Sequence, residues 1–126
     1  MTTLRARAST AGLLLAIFAT LSPLAALAHS TVKRTDPASG SVLAASPASV
    51  LIEFNEAARL TSVVVVTGDK PERKLEFEPS GAATSFTVKK PALEKGRNEI
   101  KWKALSSDGH PIAGTIILVI KPAAQP

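Results

Sequence analysis

The sequence predicts an all-β domain, a Greek-key β-sandwich of about seven short strands. Three observations support this fold class. Apolar and polar residues alternate in several short runs, four valines stand in a row at positions 63–66, and clusters of Gly, Pro, Asp and Asn separate these segments. No amphipathic pattern of helical length follows position 28, and residues 44–49 have room for one helical turn at most.

The first four predicted strands are short and differ in character. A strand around residues 30–34 opens the domain. Residues 50–54 alternate, so that a valine, an isoleucine and a phenylalanine share one face and are expected to point into the core. Residues 60–67 contain the valine run, whose β-branched side chains suit a buried strand. Residues 75–78 alternate between apolar and acidic side chains and form the fourth strand.

Three further strands complete the prediction. Residues 85–88 alternate again, and residues 99–104 place Trp102 on the inward face, where we expect it to belong to the core. Residues 115–120 form a final β-rich run. Turn signals separate the strands at residues 36–40, 68–71, 79–81 and 95–98.

Residues 1–28 have the pattern of a secretory signal peptide. Two arginines occur among the first seven residues, an apolar stretch covers residues 11–21, and residues 26–28 read Ala-Leu-Ala, an A-x-A cleavage signal. The apolar stretch is shorter than the about 20 residues that a membrane-spanning helix needs, although an uncleaved anchor is the alternative. We therefore expect a cleaved signal peptide at 1–28, a single domain at 29–121 and a flexible tail at 122–126.

The composition limits what the domain can bind. The chain has no cysteine, and its only methionine is Met1, which cleavage would remove. Disulfides, thiolate ligands and thioether ligands are thereby excluded, and a soft ion such as Cu(I), which prefers sulfur, is poorly served. The net charge is +5, but the basic residues are scattered among acidic ones and aromatic residues are few. Nucleic acid is therefore not an expected partner.

Both histidines occupy positions that suggest a metal site. Cleavage after residue 28 would make His29 the first residue, with a free α-amino group beside its imidazole, and these two nitrogens can chelate a metal. Asp108 and His110 are two residues apart, a spacing that turns side chains to the same side of an extended or tight-loop backbone. Three nitrogens and one oxygen suit tetragonal Cu(II), although Zn(II) or Ni(II) could occupy the same ligands with lower intrinsic affinity.

Residues 29–120 resemble the CopC/PcoC family of small periplasmic copper-binding proteins. The resemblance is carried by the histidine start, Pro37-Ala38-Ser39-Gly40, Pro47 followed by Val50-Leu51-Ile52-Glu53-Phe54-Asn55-Glu56, and Trp102 leading into Ser106-Ser107-Asp108-Gly109-His110 with Gly114 after it. It implies a cupredoxin-like or Ig-like Greek-key sandwich in the periplasm. It also implies one Cu(II) ion held by His29, Asp108 and His110, for copper resistance, homeostasis or delivery to an inner-membrane transporter of the CopD type.

One departure from the family pattern concerns Cu(I). Some family members hold Cu(I) with a Met-rich loop and an additional histidine, whereas residues 68–84 of this chain contain neither residue type. We therefore expect a Cu(II)-only protein with one ion per chain and no Cu(I) site. We also expect a monomer that is not an enzyme and has no substrate.

Two other functions remain as alternatives. A copper oxidase could use the same amino-terminal chelate, as polysaccharide monooxygenases do, but those are larger and present a flat aromatic face, whereas this chain has no tyrosine. A metal-free interaction module could work through a sheet edge or an apolar patch, with the two histidines incidental. Glu53 and Glu56 are interpreted as solvated surface carboxylates.

Overall fold

The computed structural model describes residues 31–122 together with Thr3. This part of the chain is all-β, as predicted, and contains no helix, hence none that is long and apolar enough to span a membrane. Its eight strands are β1 (Val32–Asp36), β2 (Val42–Leu43), β3 (Ser49–Thr67), β4 (Arg73–Lys74), β5 (Glu76–Glu78), β6 (Ala82–Lys89), β7 (Gly96–Ser106) and β8 (Pro111–Ile120). The predicted signal peptide, His29 and residues 123–126 of the predicted tail lie outside the described residues.

Strand β3 joins the two layers of the sheet. Its first half pairs antiparallel with β1 and, from Ser49 to Glu53, with β6, beyond which lies β5. After a register shift between Glu53 and Ala58, the pairing with β6 continues only at Ala58 and Arg59, and the second half of β3 pairs chiefly with β7 and briefly with β4. Strand β8 follows β7, and the short β2 lies parallel to the end of β8. Because the two halves of β3 have different partners, the sheet curls over and encloses a core.

The prediction of separate strands at residues 50–54 and 60–67 was wrong, because both belong to the continuous strand β3. Residues 55–57 between them are exposed, and the polar residues Asn55 and Glu56 make this segment resemble a loop in the sequence. The register shift at this point has the character of a β-bulge, which redirects a strand without ending it. Strands β2 and β4 have two residues each, too few to show a periodicity.

The core follows the predicted alternation in β3 and β7. Its buried members in these strands include Val50, Ile52, Phe54, Ile100, Trp102 and Ala104. The Trp102 ring meets the Phe54 ring edge to face at 5.2 Å between centroids, and Phe54 meets Phe86 in the same way at 5.8 Å. Since Trp102 belongs to one layer and Phe86 to the other, these rings connect the two layers.

Asn98 is the buried polar residue in the described part of the chain. Its side-chain oxygen accepts hydrogen bonds from the Thr67 hydroxyl at 2.7 Å and from the backbone N–H of Glu94 at 3.2 Å. Its side-chain nitrogen donates to the carbonyls of Glu94 at 2.8 Å, Gly96 at 3.1 Å and Leu118 at 3.4 Å. The amide therefore ties the loop before β7 to both β3 and β8.

Replacing Asn98 with alanine is expected to lower the free energy of unfolding by about 2–3 kcal/mol, because several polar partners would lose their hydrogen bonds inside the protein. Urea denaturation followed by tryptophan fluorescence measures this loss. Alanine at the exposed neighbour Lys95 serves as the control and should change the midpoint little. Equal stability of the two variants would contradict a structural role for the Asn98 amide.

Candidate metal centre

The loop between β7 and β8 is a tight turn closed by backbone hydrogen bonds. The Ser106 N–H donates to the His110 carbonyl at 2.8 Å, and the Gly109 N–H donates to the Ser106 carbonyl at 2.9 Å. Gly109 has a φ of 83°, in the left-handed region that glycine adopts without strain. The turn that Asp108-Gly109 predicts is therefore present, and the antiparallel strands on either side hold its ends.

The turn brings Asp108 and His110 together, as their spacing predicts. Oδ2 of Asp108 and Nδ1 of His110 are 2.8 Å apart. Both side chains remain open to solvent, with exposed fractions of 66% for Asp108 and 77% for His110. A carboxylate oxygen and an imidazole nitrogen are thus presented side by side at the surface, where an ion can reach both without any movement of the core.

Ser106 is the third side chain of this arrangement, and the sequence prediction missed it. Its hydroxyl donates to Oδ1 of Asp108 and accepts the backbone N–H of His110, with 3.1 Å between nitrogen and oxygen. Serine hydroxyls make such local bonds to turn groups where the backbone allows them. The only signal in the sequence was a serine two residues before Asp108 and two residues after the predicted strand 99–104, but the hydrogen bonds of Ser106 depend on the conformation of the turn.

The bonded neighbours of Asp108 control its charge. The hydrogen bond from the Ser106 hydroxyl, and after it the bond to the His110 ring, lower the pKa of Asp108 below its ordinary value. The carboxyl group is therefore ionised at neutral pH. An ionised carboxylate is the form that accepts hydrogen bonds or coordinates a cation.

A cavity of about 380 Å³ lies beside the turn. Its wall combines residues of the β3 bulge, the end of β7 and the first described residue of the domain: Thr31, Phe54, Asn55, Glu56, Ala57, Ala58, Ser106, Ser107 and Ile112. The Asn55 N–H donates to the Thr31 carbonyl at 2.9 Å, which fixes Thr31 against β3. The amino-terminal end of the described domain is thereby held next to Ser106 and Ser107.

The remaining predicted ligand, His29, lies outside the described residues, so its role stays a prediction. Within residues 31–122 no three His, Cys, Asp or Glu side chains come together in a group that could hold a metal. Asp108 and His110 therefore supply half of the predicted ligand set, one oxygen and one nitrogen. A complete site requires donors from elsewhere, and the free amine and ring of an amino-terminal histidine are suitable groups.

Glu53 and Glu56, both predicted to be solvated surface carboxylates, differ in their surroundings. Glu53 accepts a hydrogen bond from the Arg34 Nε at 2.7 Å, and the Lys33 Nζ is 3.6 Å away. The bond to Arg34 is the main reason that the pKa of Glu53 is lowered. Glu53 therefore links β1 to β3, whereas the exposed Glu56 lies on the wall of the cavity beside the turn.

Known structures share this fold. A CopC from Methylosinus trichosporium OB3b superposes with a TM-score of 0.61 at 22% identity, covering 75% of this chain and 95% of that one. PcoC, a methionine-rich copper resistance protein from Escherichia coli, gives a TM-score of 0.56 at 25% identity, covering 71% of this chain and 96% of PcoC. The predicted β-sandwich fold class is thereby confirmed.

Comparison of sequences leads to the same family. The copper transport protein CutJ of Bacillus subtilis (strain 168) is 30% identical over 109 residues, which is 82% of this chain. The matched region covers only 20% of the length of CutJ. The family model of the CopC domain matches residues 32–121, which contain the whole sandwich and the Asp108–His110 turn. The chain therefore belongs to the CopC family.

Proposed function

We propose that this protein is a periplasmic carrier that holds one Cu(II) ion through His29, Asp108 and His110. It serves copper resistance, homeostasis or delivery to an inner-membrane transporter of the CopD type, and it is not an enzyme. The observation that carries the proposal is the exposed pair of donor atoms, Oδ2 of Asp108 and Nδ1 of His110, on a turn that backbone bonds hold closed. The names of CutJ and PcoC, which refer to copper transport and copper resistance, support copper as the ion.

The separation of the two donor atoms is compatible with a tetragonal ion. Nitrogen and oxygen ligands lie about 2.0 Å from a small divalent metal. Two such ligands at a right angle in a tetragonal site are about 2.8 Å apart, and the Asp108 and His110 atoms are 2.8 Å apart. An ion that displaces the proton would lie to one side of the line between the two atoms, and the exposed side chains of Asp108 and His110 can turn toward it while the backbone of the turn stays closed.

The position of Thr31 supports the contribution of His29. Thr31 lines the cavity that also touches Ser106 and Ser107. Two residues of extended chain span at most about 7 Å. The α-carbon of a histidine two residues before Thr31 is therefore within about 7 Å of the α-carbon of Thr31, which lines the cavity beside the turn. If cleavage occurs after residue 28, the α-amine and ring of His29 add two nitrogens to the exposed pair, which completes the donor set expected for Cu(II).

The lack of sulfur ligands after the predicted signal peptide supports Cu(II) over Cu(I). The chain has no cysteine and a single methionine, Met1, which lies in the predicted signal peptide. PcoC is described as methionine-rich, so the two proteins differ in the residue type that favours Cu(I). Tight binding of Cu(I) in competition with a Cu(I)-specific chelator would contradict this part of the proposal.

The proposal is tested by titrating Cu(II) into two forms of the protein, one that begins at His29 and one that keeps Ala28 before it. The first should bind one equivalent and give a tetragonal EPR spectrum with several nitrogen couplings. The second should bind about 100-fold more weakly, at the upper end of the effects known for changes around metal ligands, because its His29 amine becomes an amide. Equal affinity of both forms would show that the α-amine of His29 is not a ligand.

A test of the non-enzymatic role uses the copper-loaded protein that begins at His29. It should not turn over peroxide, or oxygen together with a reductant, faster than free Cu(II) at the same concentration. Sustained turnover above that background would favour the oxidase alternative instead.

A further inference from the structure

We propose that Ser106 is a positioning residue for copper: its hydroxyl fixes the Asp108 carboxylate in the orientation that leaves Oδ2 facing His110. This inference rests on the proposed function and deepens it. It adds to the three predicted ligands a residue that does not touch the ion but determines how one of them is presented.

The hydroxyl of Ser106 gives the two carboxylate oxygens of Asp108 different roles. It donates a hydrogen bond to Oδ1, while Oδ2 lies 2.8 Å from Nδ1 of His110. With Oδ1 engaged, one oxygen remains for an ion that also binds His110. Ser106 thus favours a carboxylate that coordinates through a single oxygen, next to the ring nitrogen.

Burial does not provide this orientation. The Asp108 side chain is 66% exposed and that of His110 is 77% exposed, so neighbouring atoms do not confine them. A surface side chain that binds in one rotamer loses conformational freedom, and that loss opposes binding unless the free protein already holds the rotamer. Ser106 is only partly exposed, lies at the end of β7, and is fixed there by strand pairing. It can therefore hold Asp108 in place before the ion arrives.

The same hydroxyl also steadies His110. Its oxygen accepts the backbone N–H of His110 at 3.1 Å, so one side chain contacts both Asp108 and His110. The turn itself does not depend on this hydroxyl, because the backbone groups of Ser106 bond to His110 and Gly109 independently of it. Removing the hydroxyl should therefore leave the turn closed while the Asp108 side chain becomes free to rotate.

Ser107 provides a matched control. It has the same side chain, adjoins Ser106, is exposed and lies on the same cavity wall. Within the described residues its hydroxyl makes no hydrogen bond to Asp108 or His110. A loss seen in Ser106→Ala but not in Ser107→Ala can therefore be assigned to the bonds of Ser106 and not to a general change in the surface of the turn.

The experiment compares Ser106→Ala, Ser106→Thr and Ser107→Ala in the protein that begins at His29. Competition titrations give the affinity for Cu(II), and EPR of the loaded proteins reports the ligand geometry. Ser106→Ala should bind about 10-fold more weakly, the lower end of the effects of outer-shell partners on metal affinity, and should give an altered or heterogeneous EPR spectrum. Ser106→Thr, which keeps the hydroxyl, should restore affinity and spectrum, and Ser107→Ala should resemble the wild type.

A measurement on the metal-free protein tests the orientation of Asp108 and His110 independently of copper binding. Nitrogen NMR of the metal-free protein identifies which ring nitrogen of His110 carries the proton. The wild type, Ser106→Thr and Ser107→Ala should show the proton mainly on Nδ1, held by Asp108, whereas Ser106→Ala should show a mixture of tautomers. An unchanged tautomer and unchanged affinity in Ser106→Ala would overturn the positioning role.

The failure of this inference differs from failure of the proposed function. If Cu(II) binds tightly, depends on His110 and is indifferent to Ser106→Ala, only the role of Ser106 is lost. If the wild type binds Cu(II) weakly and independently of His110, the copper site itself is wrong, and the role of Ser106 falls with it.

Discussion

Replacing Gly114 with alanine is expected to lower the free energy of unfolding by about 3 kcal/mol, the upper end of typical overpacking costs. A β-carbon at this position would lie 2.4 Å from Cζ2, 2.6 Å from Cε2 and 2.8 Å from Nε1 of Trp102. The two residues are direct partners across β7 and β8. The indole cannot move away easily, because Trp102 is 3% exposed and its ring packs against Phe54.

Urea denaturation of Gly114→Ala measures this loss of stability. Ala113→Ser is a suitable control, since the neighbouring residue is exposed and carries no such contact. A double-mutant cycle with Trp102→Phe tests the cause, because a smaller ring should leave room for the new methyl group. The two changes together should then cost less than the sum of their separate costs. An unchanged denaturation midpoint in Gly114→Ala alone would show that the indole shifts freely.

The contact between Gly114 and Trp102 shows which part of the fold the sequence could not reveal. Alternation predicted that Trp102 faces the core, because the pattern is local. The need for glycine opposite the indole depends on the register of β7 with β8, which is a non-local property. Pro111 and Gly114 are also poor strand residues, and for this reason the predicted final strand began at residue 115 instead of Pro111.

In the candidate metal centre, too, the sequence could predict only the contacts between residues that are close along the chain. The spacing of Asp108 and His110 predicted their convergence because a turn and two strands constrain residues that are close in sequence. The hydroxyl bonds of Ser106 were missed, since many serines stand near turns and the sequence does not say which of them is oriented toward a carboxylate. The approach of Thr31 to the end of β7 brings together residues that are far apart in the sequence, and it follows only from the curl of the sheet.

Replacing His110 with alanine is expected to weaken Cu(II) binding by about 100-fold or more, beyond the range of outer-shell effects. The change removes the only imidazole in residues 31–122 and leaves Asp108 without its partner. The fold should be unaffected, because the side chain is 77% exposed. The EPR spectrum of any remaining complex should show one nitrogen fewer. Competition titration and EPR of the protein that begins at His29 provide both measurements.

Two further variants make the result specific. Asp69→Asn removes one negative charge from an exposed turn at the far end of β3 and should not change the affinity for Cu(II). Asp108→Asn removes one negative charge from the proposed site but keeps a hydrogen-bonding side chain, and it should weaken binding clearly more than Asp69→Asn does. Equal effects of the two would mean that Asp108 acts only through its long-range charge. Full affinity in His110→Ala would show that copper binds elsewhere, for example through His29 and the backbone nitrogens that follow it.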